Sequence, residues 1–201
     1  MKVRWQTSTT RTCVLSCLFL LATFGCSTTP KKLDSQTNST QVEAGGCPSS
    51  AQDGSHTKLI GTVVGVSDGD TATVKDENSD RHTIRFFAID APENGQDFGK
   101  LSKSNLSTLI SDKPVCVVVI EKDQYGREVS IVYSNGEDIN LAQIAAGMAW
   151  HYKAHQNQQT GNDRWTYDRA ETQARSERLG LWRQPDAVPP WEYRKMHPRR
   201  N

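Results

Sequence analysis

Short runs of β-branched and aromatic residues, each closed by a Gly, Asp, Asn or Pro turn, limit what this chain can become. Leu59, Ile60, Val63, Val64 and Val66 open the series, and Asp68-Gly69-Asp70 turns it. Residues 71–74 supply a second strand, the polar 75–81 stretch turns again, and 82–89 supply a third. Ala91-Pro92 ends that strand, because proline removes a ladder donor. The apolar run 115–120 reads as a buried fourth strand and 129–133 as a fifth, with a turn around Gly126 between them.

Three helices interrupt and follow these strands. Leu101, Leu106, Leu109 and Ile110 make a rough helical stripe over Gly99–Ile110. Asp138 can cap a second helix with Ile139, Leu141, Ile144 and Ala145 on its apolar face and Gly147 past its end. Tyr167, Ala170 and Ala174 mark a third over 164–179, stopped by Gly180. The class is α+β, mainly β: a five-stranded, partly open barrel of the OB type with three helices.

The N-terminal part stays outside any core. Residues 1–25 carry Lys2, Arg4 and Arg11 and then a short apolar run, 13–24, too short for a bilayer span of ~20 residues. Such a basic start and apolar stretch read as a signal peptide. Gly25-Cys26 resembles a bacterial lipoprotein signal, with Cys26 lipidated, although Thr23 and Phe24 depart from the usual lipobox. Soluble export and an uncleaved anchor are the alternatives. Residues 26–57 are polar, with almost no large apolar side chains, and read as a flexible tether. The domain then spans 58–194, and a basic tail follows over 195–201. The expected location is outside the cytoplasm: lipid-anchored to a membrane facing the periplasm or cell exterior, or secreted.

Residues 1–25 hold three of the 24 basic side chains and none of the 23 acidic ones, so the mature chain carries a formal charge of −2. Any affinity for nucleic acid must then come from local patches rather than bulk charge. Cys47 and Cys116 remain after processing, either as a disulfide or as two free thiols, and export favours the disulfide.

The candidate chemistry sits on turns and strand ends. Asp68-Gly69-Asp70 alone is an ordinary turn, and an EF-hand loop fails because Ala72 stands where a ligand is needed. Arg85 and Asp90 lie on opposite faces of a regular strand and converge only if that strand breaks. Glu93 follows Pro92, and Arg127 follows a Tyr-Gly turn. Taken together, Asp70, Asp90 and Glu93 suit a hard cation and a proton acceptor, while the forks of Arg85 and Arg127 match phosphate oxygens. That set suits the growing negative charge of a phosphodiester under attack.

The sequence resembles the staphylococcal nuclease (thermonuclease) family. The residues that carry the likeness are Asp68-Gly69-Asp70-Thr71, the run from Arg85 through Asp90-Ala91-Pro92-Glu93, and Tyr125-Gly126-Arg127. Asn140-Leu141, Gly147-Met148-Ala149 and Leu179-Gly180-Leu181-Trp182 also fit, so the likeness covers about residues 58–194. It implies a metal-dependent nuclease acting on DNA or RNA, and a monomer. Asp70, Asp90 and the carbonyl of Ala91 would hold Ca²⁺ or another hard divalent cation. Ala91 stands where the best-known member has Thr, a change a backbone ligand tolerates. Glu93 would act as general base, and Arg85 and Arg127 would stabilise the phosphate.

Tyr125, Trp150, Tyr152 and Lys153 are candidates for contacting substrate, since bases stack on aromatic rings; packing as core or rim is the alternative for the Trp residues. His151 and His155 are four apart but lack the partners of a zinc site, and Asp97-Phe98-Gly99 lacks the other parts of a kinase. Trp182, Pro185, Pro189, Pro190 and Trp191 would strap the C-terminus to the domain, and Arg194, Lys195, Arg199 and Arg200 form a basic end. Two competing readings are a non-catalytic nucleic-acid-binding OB module and a structural envelope lipoprotein.

Overall fold

A computed structural model describes residues 46–48 and 56–198, all within the compact unit Ser39–Asn201. Residues 1–25, expected to be a signal peptide, Cys26, most of the 26–57 segment and residues 199–201 lie outside the described residues. The strands are β1 (Thr57–Asp68), β2 (Thr71–Asp76), β3 (Arg81–Phe86), β4 (Ile89–Asp90), β5 (Pro114–Lys122), β6 (Glu128–Ser134), β7 (Glu137–Asp138) and β8 (Trp150–His151). The helices are α1 (Gly99–Ile110), α2 (Ile139–Ala145), α3 (Gly161–Ser176) and α4 (Pro190–Met196).

Five strands close a barrel in the order β3-β2-β1-β5-β6, with β6 returning to pair β3. The pairings are antiparallel except this closure, which is parallel and joins Ile84 to Glu128, Arg85 to Val129 and Phe86 to Ser130. The long β1 bends at two irregularities, between Val63 and Gly65 and between Val66 and Asp68. Bulges of this kind increase local twist, which lets one strand serve two sides of a small barrel. Inside lie Val63, Val74, Ile84, Phe86, Val115, Val117 and Val132, covered by Leu106 and Ile110 of α1 and Ile139 and Ile144 of α2. The mainly β, OB-type reading matches this architecture.

Helix boundaries follow their caps. The Asp138 side chain accepts the Leu141 N–H at 3.0 Å and starts α2, as its sequence position suggests. Thr160 accepts from the Asp163 N–H at 3.1 Å, so α3 begins at Gly161, three residues before the expected start. The fourth helix, α4, was not anticipated: Pro190 occupies its first turn, where a missing N–H costs nothing. Trp150, Leu181 and Trp182 form a second apolar cluster joined by Trp191 of α4, and the Arg175 guanidinium lies 3.6 Å from the Trp182 ring centroid. Among the described residues, no helix is long and apolar enough to cross a membrane.

Cys47 and Cys116 are joined by a disulfide across a separation of 69 residues. Both are buried, against Val118 on β5. Closing a loop of that length restricts the unfolded chain and stabilises the fold by ~4 kcal/mol on the chain-entropy account. Replacing both cysteines by Ala should therefore lower the melting temperature by roughly 10 °C in a thermal scan. An unchanged midpoint would show that the bridge adds no stability.

Candidate active site

Two chain reversals build the site. At the first, between β1 and β2, the main chain passes very close to its neighbours. A Cβ on Gly69 would lie 1.8 Å from Ser102 Oγ and 2.7 Å from Ala91 Cβ, so only glycine fits. Gln143 of α2 holds this turn from below, its Nε2 donating to the Gly69 carbonyl at 2.6 Å. Asp70 follows immediately and is 5 % exposed.

The second reversal corrects the reading of 82–89 as one strand. β3 ends at Phe86, and Ala88 adopts a left-handed φ of 59° before β4 begins. This break changes the alternation of side chains. Arg85 and Asp90, which a regular strand would hold on opposite faces, now meet at 3.0 Å between Nη2 and Oδ1. Asn140 of α2 fastens the break: its Nδ2 donates to the carbonyls of Phe87 (2.9 Å) and Ser130 (3.1 Å), and its Oδ1 accepts the Val132 N–H (3.0 Å). β4 is held in turn by β8.

Arg85 ties the two reversals together. Its Nη1 lies 3.0 Å from Asp70 Oδ2 and donates to the Phe86 carbonyl at 3.1 Å. Asp70 Oδ2 also accepts the Ala91 N–H at 2.6 Å. Burial pushes the Asp70 carboxyl up to about 8; Arg85 opposes this, while the Asp68 and Asp90 carboxylates reinforce it. Glu93 stands past Pro92, and its N–H donates to Gln96 Oε1 at 3.2 Å.

The β5–β6 hairpin supplies the opposite wall. Asp123 Oδ1 accepts the N–H groups of Tyr125 (2.9 Å) and Arg127 (3.0 Å), and its Oδ2 accepts Arg127 Nε at 2.7 Å. The Arg127 guanidinium carbon lies 5.5 Å from the Tyr125 ring centroid. A cavity of about 940 Å³ is lined by Asp70, Arg85, Asp90, Ala91, Glu93, Tyr125 and Arg127 together with Tyr193, Arg194 and His197. The five acids and guanidiniums that the sequence singled out thus line one space.

Residues 83–184 match the family described as staphylococcal nuclease homologue. An uncharacterized endonuclease of Escherichia coli O157:H7 is 36 % identical over 137 residues, 68 % of this chain and 85 % of that protein. This chain belongs to the staphylococcal nuclease family. A micrococcal nuclease of Shigella flexneri is 36 % identical over 144 residues, covering 67 % of this chain and 80 % of its own length. A staphylococcal-like nuclease, CAN1, of Arabidopsis thaliana is 35 % identical over 112 residues, 56 % of this chain and 33 % of its own. Within this staphylococcal nuclease family member, Arg85, Asp90, Glu93 and Arg127 fall inside the matched stretch, and Asp70 lies just before it.

The donors at the site suit a hard cation. Asp70 and Asp90 are two buried carboxylates bridged by one guanidinium, and Ala91 joins them in the cavity lining. Oxygen donors of this kind match Ca²⁺, Mg²⁺ or Mn²⁺ rather than a softer metal. Among the described residues, no three His, Cys, Asp or Glu side chains come together around one point. A cation here would therefore complete its coordination with main-chain, water or substrate oxygens.

The remaining candidates separate by environment. Trp150 is 8 % exposed, its ring centroid 4.4 Å from that of Trp182, so it packs as core and offers no free face to a base. Tyr152 lines the adjoining cavity with Tyr125, Arg127 and Arg194, and its ring lies 5.5 Å from Trp191. Lys153 is paired with Asp168 at 2.6 Å. His151 is buried between Asp168 (3.1 Å) and Gln159 (2.8 Å), a satisfied core histidine. The residue that sequence reasoning missed is Arg194, assigned there to a basic end. Its guanidinium instead contacts both Asp90 and Glu93. Pro189-Pro190 was the available signal, since proline in a first turn opens a helix that turns Arg194 inward.

Asn140 supports this geometry without facing the cavity. Replacing it by Ala would strand the buried Val132 N–H and Phe87 carbonyl and remove one of the two donors to the Ser130 carbonyl, at a cost of ~3 kcal/mol. Urea unfolding of Asn140→Ala should show a correspondingly lower midpoint, and an unchanged midpoint would deny the role.

Proposed function

We propose that this chain is a metal-dependent nuclease in which Glu93 activates water and Arg85 and Arg127 stabilise the phosphate under attack. Family membership makes it a phosphodiester-hydrolysing nuclease with nucleic acid, DNA or RNA, as substrate, and sets aside a non-catalytic binding module. The observation that carries the finer reading is the gathering of two buried acids, a third acid and two guanidiniums on one cavity.

Asp70, Asp90 and the Ala91 carbonyl would hold the cation, Ca²⁺ foremost. When bound, it supplies positive charge to the phosphate oxygen and to the attacking water. Glu93 accepts the proton as that water attacks phosphorus, and the bond to the leaving oxygen breaks. Arg85 and Arg127 offer forked N–H donors to the non-bridging oxygens, where charge builds in the transition state. Tyr125 and Tyr152 flank this space with rings suited to stacking bases.

The protein acts outside the cytoplasm on this reading, as a monomer anchored through a lipid on Cys26 or released. A disulfide between Cys47 and Cys116 supports an oxidising compartment. Globomycin sensitivity of processing tests the anchor, and an unlipidated mature chain rejects it.

Denatured DNA should be cleaved with Ca²⁺ present and left intact after chelation; chelator-resistant cleavage would overturn the metal requirement. Glu93→Gln, Arg85→Ala and Arg127→Ala should each lower the rate on the order of 10²-fold or more. Near-normal rates in the folded variants would reject these roles.

A further inference from the structure

Arg194 lies beyond the family-matched residues 83–184, yet its guanidinium is built into the site. Nη2 donates to Asp90 Oδ2 at 2.8 Å and Nη1 to Asp90 Oδ1 at 3.1 Å. Nη1 also donates to Glu93 Oε1 at 2.9 Å. One planar fork therefore grips a buried carboxylate with both arms and reaches a partly exposed one with the same arm. We propose that Arg194 is a positioning residue, which fixes the Glu93 carboxylate relative to Asp90 and makes α4 part of the active site. This inference rests on Glu93 acting as the base.

The two carboxylates differ in how well their own elements hold them. Asp90 is on β4, paired with Trp150 of β8, and is also bonded to Arg85. Glu93 is three residues further on, in the connection to α1, with a longer side chain that has more rotamers to lose. A base that wanders by about 1 Å can lose on the order of 10²-fold in rate. Arg194 transfers the order of Asp90 to Glu93.

The rest of α4 and the residues leading into it are arranged around the same connection. Tyr193 Oη donates to the Gly95 carbonyl at 3.0 Å, and Gln96 Nε2 donates to the Val188 carbonyl at 2.6 Å. Trp191 packs edge-on against Trp150, 5.6 Å between centroids, and so ties α4 to the strand that holds Asp90. The helix thus grips the Glu93 segment on one side and the Asp90 pairing on the other. A lysine at 194 would keep the charge but could not bridge two carboxylates in this way, because it lacks the planar fork.

The test is a double-mutant cycle in the full chain, measuring kcat and KM on denatured DNA with Ca²⁺. Arg194→Gln and Arg194→Lys should each lower kcat by about 30- to 100-fold, with KM changed by less than about threefold. In a Glu93→Gln background, Arg194→Gln should add no more than about twofold, because the carboxylate base that it positions is already gone. Multiplying effects in the cycle would overturn the proposal, as would a loss confined to KM, which marks a direct phosphate ligand. Melting temperature is followed throughout; if Arg194→Gln unfolds the domain, Arg194→Lys decides by the same criteria. If Glu93→Gln alone cleaves at the normal rate, the assignment of Glu93 fails and this inference falls with it. If Glu93→Gln is impaired but both Arg194 variants are not, only the positioning role fails.

Discussion

The carboxamide of Asn140 bonds main-chain groups of β6 and of Phe87, the residue after β3, at the point where the barrel closes. The parallel ladder between β3 and β6 ends at Phe86 and Ser130, and the Phe87 N–H still reaches the Ser130 carbonyl at 2.8 Å. Beyond that point the backbone turns away, and the Phe87 carbonyl needs a donor from outside the sheet. Asn140 supplies donors for Phe87 and Ser130 and an acceptor for Val132. A chain can leave a sheet inside a protein only if such groups are satisfied. Without this amide the left-handed step at Ala88 would be costly, and without that step Arg85 and Asp90 would face apart. One helical turn on, Gln143 performs the same service for the Gly69 carbonyl beside Asp70. The polar face of α2 thereby sets the distance between the two acids.

That distance creates an electrostatic problem, which the guanidiniums resolve. Asp70 and Asp90 are almost fully buried, and burial favours the protonated form of Asp70. Arg85 spans both carboxylates and also donates to a carbonyl, uses that require several N–H groups in one plane. Arg127 is held differently: its Nε donates to Asp123 within its own turn, and the residue lines the cavity from the hairpin. The two arginines are therefore unequal: one organises the acids, and the other is carried to the rim by a hairpin.

The sequence reveals features whose cause is local. Strands β2, β5 and β6 show in their β-branched runs, and Asp138 announces α2 because a cap needs only the next three residues. The acids and arginines of the site were legible as residue types on turns. Their convergence was not, because it depends on Ala88, a non-glycine residue at positive φ for which no residue preference gives warning. Arg194 was misjudged for a related reason. Its partner Asp90 is 104 residues away, and a basic residue near a chain end looks solvated until the helix that carries it is placed. Trp150 was ambiguous because an aromatic ring suits a base or a core equally, and only the packing of Trp182 and Trp191 decides.

The two walls of the cavity are built to different standards. On one side α4 and the residues leading into it are fastened to the connection after β4, through Tyr193 and Arg194 of the helix and Val188 before it. On the other, Tyr125 is 75 % exposed at the tip of a hairpin whose turn is held by the Asp123 side chain. Local stability follows the number of buried contacts, so the first wall resists opening more than the second. Proton transfer needs heavy atoms held to a few tenths of an ångström, whereas a phosphate and its neighbouring bases vary in position along a polymer. The stiff wall carries the residue with the strict requirement, Glu93, and the open wall carries Tyr125 and Arg127, which meet the variable one. This division follows from topology. A helix added after the barrel can brace only the edge it crosses, and α4 crosses the edge where β4 ends.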